Sequence, residues 1–141
     1  MHAIAEKLGG ARVLQRDIRS DLELAEVIHA GFPIRVVDFV LKAGLLDASE
    51  LYGLVIPRRT LAHRKEKQNT LSREQSDRLA RVVRVLVRAE EALGTVEKAA
   101  RWLRKENRAL GGKRPIELLE SDTGARVVER ILGRIEHGVY S

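Results

Sequence analysis

From residue 20 onward the apolar positions of this chain recur at three- and four-residue intervals, the period of helices buried along one face. Leu24, Val27 and Ile28 form the first such group, preceded by Ser20-Asp21-Leu22-Glu23 and followed by Gly31. A Ser and a Glu three residues apart can satisfy free backbone N–H groups reciprocally, so a helix opens there, and the glycine closes it. Pro33 suits the first turn of a second helix, whose stripe is Val36, Val37, Val40 and Leu41 and whose end is Gly44. Asp47 with Glu50 opens a third, short helix through Leu51 that ends near Gly53. Pro57 starts a fourth, running through Leu61 to about Lys67. Residues 1–19 lack a clean period and read as an arm or a frayed first helix.

Gln68-Asn69-Thr70 is a polar break, and the domain boundary is expected there. Ser72 and Gln75 form a second capping box ahead of the longest helix, Arg73 to Leu93, which Gly94 ends. Leu79, Val82, Val83, Leu86 and Leu93 share one face of it, while Asp77, Arg81, Arg84 and Arg88 share the other. Val85 and Val87 widen the apolar face, which predicts packing on more than one neighbour. Thr95 caps a helix to about Arg104 that carries Trp102 and Leu103. After a loop with Asn107, Gly111 and Gly112, Pro115 begins a short helix through Leu119. Ser121 or Asp122 caps the last helix, with Val127, Val128, Ile131, Leu132 and Ile135 as its buried face and Gly138 as its stop. No strand pattern and no internal repeat is visible. The fold class expected is all-α, divided into an arm (1–19), a first helical domain (20–70) and a second (71–141).

Composition narrows this reading. A chain of 141 residues holds one ordinary domain or two very small ones. Domains of about 60 to 75 residues bury a core only marginally, so two such units are expected to share an interface or to oligomerise. With 44% hydrophobic, 33% charged and only 4% aromatic residues, the chain should be globular and built by helix packing. The absence of cysteine excludes disulfides, zinc fingers, iron–sulfur sites and a thiol nucleophile. Neither a signal peptide in Met1–Gly10 nor an apolar run of transmembrane length is present, so a soluble, cytoplasmic protein is expected.

Net charge is +6, which favours polyanionic partners without naming one. Its distribution is more telling. Arg58, Arg59, Arg64, Lys65 and Lys67 stand against Glu66 alone in residues 57–67, a net of +4, whereas residues 1–70 carry eleven Lys/Arg and nine Asp/Glu. A charge run is commonly a solvated helix face. Here, however, it follows a short helix and a tight turn containing Gly53, the sequence form of a helix-turn-helix. Ile56 and Leu61 would pack inward. Arg58, Arg59, Thr60, His63, Arg64 and Lys65 would face a DNA groove, where arginine can bind guanine in a bidentate manner and lysine can hold phosphates.

A catalytic reading finds little to stand on. His2, His29, His63 and His137 are dispersed, and none forms a His-Glu-x-x-His pair. Glu90 and Glu91 are adjacent and so diverge on a helix, and Gly111-Gly112-Lys113 lacks the spacing of a phosphate loop. No catalytic residue, metal site or cofactor is expected. Trp102 reads as a core anchor, Arg81, Arg84 and Arg88 as a solvent face, and Gly111-Gly112 as a turn. The segment Glu136 to Ser141 is either a frayed end or a tail that docks on something.

Several short motifs occur in an ordered set: Ile56-Pro57-Arg58-Arg59-Thr60-Leu61, then Leu71-Ser72 with Ser76-Asp77-Arg78-Leu79. Trp102-Leu103, Asn107-Arg108-Ala109-Leu110-Gly111-Gly112 with Pro115, Leu118-Leu119, Gly124 and Ile135-Glu136-His137-Gly138-Val139 follow. Over residues 20–141 this set resembles the Xre/MbcA/ParS antitoxin family, while residues 1–19 lie outside the resemblance. The resemblance implies an Xre-like helix-turn-helix domain followed by a small helical toxin-binding domain. It further implies a RES-domain toxin as partner, an enzyme that consumes NAD or uses it to modify a target, with the antitoxin covering its active-site entrance and the complex repressing its own operon.

On this reading residues 57–67 lie on operator DNA, and NAD belongs to the toxin's chemistry. The toxin-facing candidates are Asn107, Arg108, Lys113, Arg114, Arg134, His137, Gly138, Val139, Tyr140 and Ser141. The basic ones suit a cleft only if it exposes acidic groups. A palindromic operator requires at least two copies, so a homodimer or a hetero-oligomer with the toxin is expected. The alternatives are a stand-alone dimeric helix-turn-helix regulator and, third, an enzyme.

Overall fold

A computed structural model describes residues 1–67 and 69–138 of the chain. Val139, Tyr140 and Ser141, three of the toxin-facing candidates, lie outside the described residues. The structure is helical, and its only β pairing among the described residues is an isolated bridge between Pro33 and Thr70. It divides into two compact units, residues 1–80 and residues 81 onward, and the division falls inside one long helix.

The first unit holds α1 (His2–Lys7), α2 (Gly10–Leu14), α3 (Asp21–Ala30), α4 (Arg35–Lys42), α5 (Ala48–Leu54), α6 (Arg58–Lys67) and the start of α7 (Arg73–Leu93). Residues 1–19 are a packed part of this unit rather than a free arm. Leu8, Leu14 and Ile18 are buried, α2 packs against α4, and Arg16 Nη2 meets Glu26 Oε1 of α3 at 2.7 Å. Their period is unreadable because Gly9 and Gly10 have φ of 110° and 68° and Gln15 is left-handed at 63°, so the helical phase is reset twice in seven residues.

Elsewhere in this unit the caps work as the spacing predicts. Ser20 accepts from the Glu23 N–H, although the Glu23 carboxylate returns to the Arg19 N–H at 2.9 Å rather than to that of Ser20. Asp47 and Glu50 form a complete box at 2.8 and 3.0 Å. Gly53 is helical and open to solvent; α5 continues past it to Leu54, and the turn is made by Val55, Ile56 and Pro57.

Phe32 is the largest fully buried side chain among the described residues, and it anchors the start of α7. Its N–H donates to the buried Ser76 hydroxyl at 2.9 Å, and that hydroxyl donates onward to the Ser72 carbonyl at 2.8 Å. The Leu71 N–H reaches the Phe32 carbonyl, and the Ile34 N–H reaches that of Asn69. Residues 69–71, at the polar break, thus run as an extended partner of residues 32–34, against the first unit. Gly31, with φ of 92°, lies under this pairing where a Cβ would strike the Leu71 carbonyl oxygen.

The second unit is built from the rest of α7, α8 (Val96–Arg104), a 3₁₀ turn at Arg108–Leu110, a longer 3₁₀ segment at Pro115–Glu120 and α9 (Asp122–Glu136). Thr95 caps α8 and Ser121 caps α9. Val82, Val83, Val85, Leu86 and Ala89 are all buried, a face wider than a single stripe, together with Ala99, Leu103, Ile116, Leu119, Val128, Ile131 and Leu132. Burying each large aliphatic side chain contributes about 1.5–3 kcal/mol against its exposed state. Both α8 and α9 pack on the Pro115–Glu120 segment. The approach is closest at Gly124, where a Cβ would overlap the Leu118 carbonyl oxygen, so this buried helical position admits only glycine.

Arg81, Arg84 and Arg88 are not a solvent face. Arg84 forms a two-point bond to the Glu129 carboxylate at 3.1 and 2.9 Å, Arg88 reaches Glu136 at 2.8 Å, and Arg81 donates to the Glu120 carbonyl at 3.3 Å. Three arginines one turn apart therefore hold α7 to α9 and its entry. Trp102 is only half-buried, whereas Leu103 beside it is fully buried and serves as the anchor of α8. No helix among the described residues is long and apolar enough to cross a membrane.

Candidate nucleic-acid interface and partner-binding unit

α5, a three-residue turn and α6 form the helix-turn-helix. The Val55 and Ile56 N–H groups both return to the Leu51 carbonyl, which folds the chain sharply at the end of α5. Val55, Ile56 and Leu61 are buried and fix α6 against the unit. Arg78, on α7, donates to the Val55 carbonyl at 3.5 Å and so supports the turn from behind. Pro57 offers no side-chain acceptor to cap the N–H groups of Arg58, Arg59 and Thr60 at the positive end of α6.

The six predicted DNA-facing residues divide into two sets. Arg58, Arg59, Thr60 and His63 are exposed, and neither arginine has an ion-pair partner among the described residues. Arg64 is half-buried and its Nε donates to the Thr70 carbonyl at 2.9 Å, which ties α6 to the strand-like segment before α7. Lys65 is exposed but lies 3.3 Å from Asp38 of α4. The outer face of α6 can therefore offer fixed amide donors, two guanidinium groups, a hydroxyl and an imidazole to a groove. Arg64 and Lys65 meanwhile hold the helix in place. Arg78 was not among the predicted residues, and only its place in a shared motif marks it in the sequence.

In the second unit the segment 107–114 is a compact loop. Asn107 caps its 3₁₀ turn by accepting from the Ala109 N–H at 2.9 Å, while its own backbone pairs with Lys113 and Gly112. Gly111 and Gly112 have φ of 67° and 86°, which the tight return requires. Asn107 is thus a half-buried organiser of the loop, and Arg108, Lys113 and Arg114 are exposed on it. The Arg114 N–H donates to Glu117 at 2.9 Å. That bond, helped by the charge of the nearby guanidinium, holds the Glu117 carboxyl below the usual carboxylate range. Arg134, His137 and Gly138 are exposed on and beyond the last turn of α9.

Comparison with known proteins matches these two units in order. Residues 23–84 match the Antitoxin Xre-like helix-turn-helix domain, and residues 88–138 match the Antitoxin Xre/MbcA/ParS C-terminal toxin-binding domain. The chain is 38% identical over 120 residues to Antitoxin Xre of Yersinia enterocolitica, covering 84% of this chain and 81% of that one. It is 33% identical over 122 residues to Antitoxin Xre of Pseudomonas putida, covering 86% and 76%, and 32% identical over 122 residues to that of Photorhabdus laumondii, covering 84% and 81%. With a helix-turn-helix followed by a toxin-binding unit, and with relatives similar over most of its length, the chain belongs to the Xre antitoxin family.

Proposed function

We propose that this chain is the antitoxin of a toxin–antitoxin pair, that it neutralises a RES-domain, NAD-consuming toxin by covering the active-site entrance, and that it acts on operator DNA through α6. Binding and occlusion, without bond-making by this chain, are the whole of the activity proposed. The observation that carries the reading is the pairing, in one polypeptide, of a helix-turn-helix whose outer face bears unpaired arginines with a domain of the toxin-binding family.

Arg58, Arg59, Thr60 and His63 are assigned to the groove. Arg64 and Lys65 are assigned to phosphates at its edge while they anchor α6. The loop residues Asn107, Arg108, Lys113 and Arg114, with Arg134 and the end from His137 to Ser141, are assigned to the toxin. A loop already ordered by its own hydrogen bonds loses less entropy on docking than a floppy one. Two copies on a palindromic operator, in a homodimer or a complex with toxin, satisfy the symmetry of such a site.

Co-expression with the neighbouring open reading frame tests this. Growth arrest caused by the neighbour alone and relieved by this chain is expected, with weaker relief after deletion of residues 139–141. A neighbour that is harmless, or arrest that this chain leaves unrelieved, would overturn the antitoxin reading in favour of a stand-alone regulator.

A further inference from the structure

A second concentration of positive charge lies outside the recognition helix. Residues 98–114 contain Lys98, Arg101, Arg104, Lys105, Arg108, Lys113 and Arg114 against the single acid Glu106, a net of +6 that equals the charge of the entire chain. On α8, Lys98 and Arg101 lie one turn apart on the face opposite buried Ala99 and Leu103, and Lys105 follows at the C-cap. All three are exposed, and no carboxylate among the described residues is in ion-pair range of them. Elsewhere in the unit Arg84, Arg88 and Arg126 each have an acidic partner.

Two lysines on a three-cation face are a poor protein–protein core, where lysine is depleted. They are well suited to phosphates, which lysine holds as a point charge. We propose that the outer face of α8, through Lys98, Arg101 and Lys105, is a second nucleic-acid surface that contacts the DNA backbone without reading sequence. Its occupant is the duplex that the helix-turn-helix engages, so the inference rests on the reading that α6 binds DNA. Two weak surfaces on one chain then reinforce each other through their effective concentration.

The full-length triple variant Lys98→Gln, Arg101→Gln, Lys105→Gln tests this by fluorescence anisotropy with a 40-base-pair duplex of the chain's own promoter and one of scrambled sequence. For every phosphate no longer neutralised, the slope of log affinity against log salt drops by about 0.9, so it should fall by about 2–3 on both duplexes. Affinity near 0.15 M salt should fall on the order of 10- to 100-fold. The charge-keeping variant Lys98→Arg, Arg101→Lys, Lys105→Arg should restore both. A slope unchanged in the triple variant, while Arg59→Ala still weakens promoter binding, overturns the second surface and leaves the helix-turn-helix reading standing. Loss of toxin neutralisation with an unchanged DNA slope overturns it too, by making the face a contact for an acidic protein. Wild-type protein that binds neither duplex removes both readings together.

Discussion

Arg58 and Arg59 on α6 have no ion-pair partner among the described residues, whereas Arg84 and Arg88 on α7 are paired with Glu129 and Glu136 of α9. In the sequence both pairs look alike: arginines on the polar face of a helix whose other face is buried. In the structure one pair leaves its donors exposed, and the other uses them inside the chain. Opposite consequences follow. Substitution on α6 should change binding and leave folding alone, and substitution on α7 or α9 should do the reverse.

The largest expected effect breaks the second unit outright. A methyl group at Gly124 meets the Leu118 carbonyl, a backbone atom that no side-chain rotation can move. Gly124→Ala should cost roughly 3 kcal/mol or more, in the range of severe overpacking. Thermal unfolding followed by circular dichroism is the measurement, and a midpoint equal to wild type would show that the Pro115–Glu120 segment shifts freely.

The next sharpens the first half of the comparison. Arg58→Ala with Arg59→Ala should lower operator affinity by about 1–3 kcal/mol for each base-reading side chain removed. The same change should leave stability within about 0.5 kcal/mol, as for other exposed positions. Titration at matched salt alongside a denaturant melt checks both statements, and equal affinity would move the DNA-binding face off α6.

Smaller still is the mirror experiment. Glu129→Gln removes the charge that Arg84 grips, on a pair whose side chains are 43% and 26% exposed. Solvent screening limits the loss to about 0.5–1 kcal/mol. DNA affinity should not change; a clear drop in it would end the division of roles between the two sets of arginines.

The least effect concerns pH. Because Glu117 titrates below its ordinary value in the folded state, chiefly through the Arg114 N–H, its contribution is present in full above the ordinary carboxylate range. It disappears as pH falls through the lowered value. In a series of melts from neutral pH downward, wild type and Glu117→Gln should converge at the acid end. Parallel curves would show that this bond does not persist in solution.

Helix positions were legible where a capping residue and a change of period coincide. Ser72 with Gln75 and the closing Gly94 placed α7 at Arg73–Leu93, where it stands. The all-helical class and the order of helix-turn-helix and toxin-binding unit were equally readable. The packed helices of residues 1–19 were not, because the left-handed turns at Gly9, Gly10 and Gln15 scatter Leu8, Leu14 and Ile18 out of any regular spacing. Pairing at a distance was also hidden. Glu129 and Glu136 lie 45 and 48 residues from their arginines, and nothing local to Arg84 or Arg88 marks them as taken. Within the predicted DNA-facing set, Arg58, Arg59, Thr60 and His63 are exposed as expected. The restraint on Arg64 was not legible, since its acceptor is a backbone carbonyl, which carries no sequence signature.

The Phe32 N–H, sealed against the Ser76 hydroxyl in the interior, has no route to solvent while the start of α7 stays in place. Its deuterium uptake should therefore be among the slowest in the first unit, and it should speed up only when that helix end detaches. One amide thus serves as a built-in gauge of how often the scaffold beneath α6 opens, readable in the native protein without a mutation.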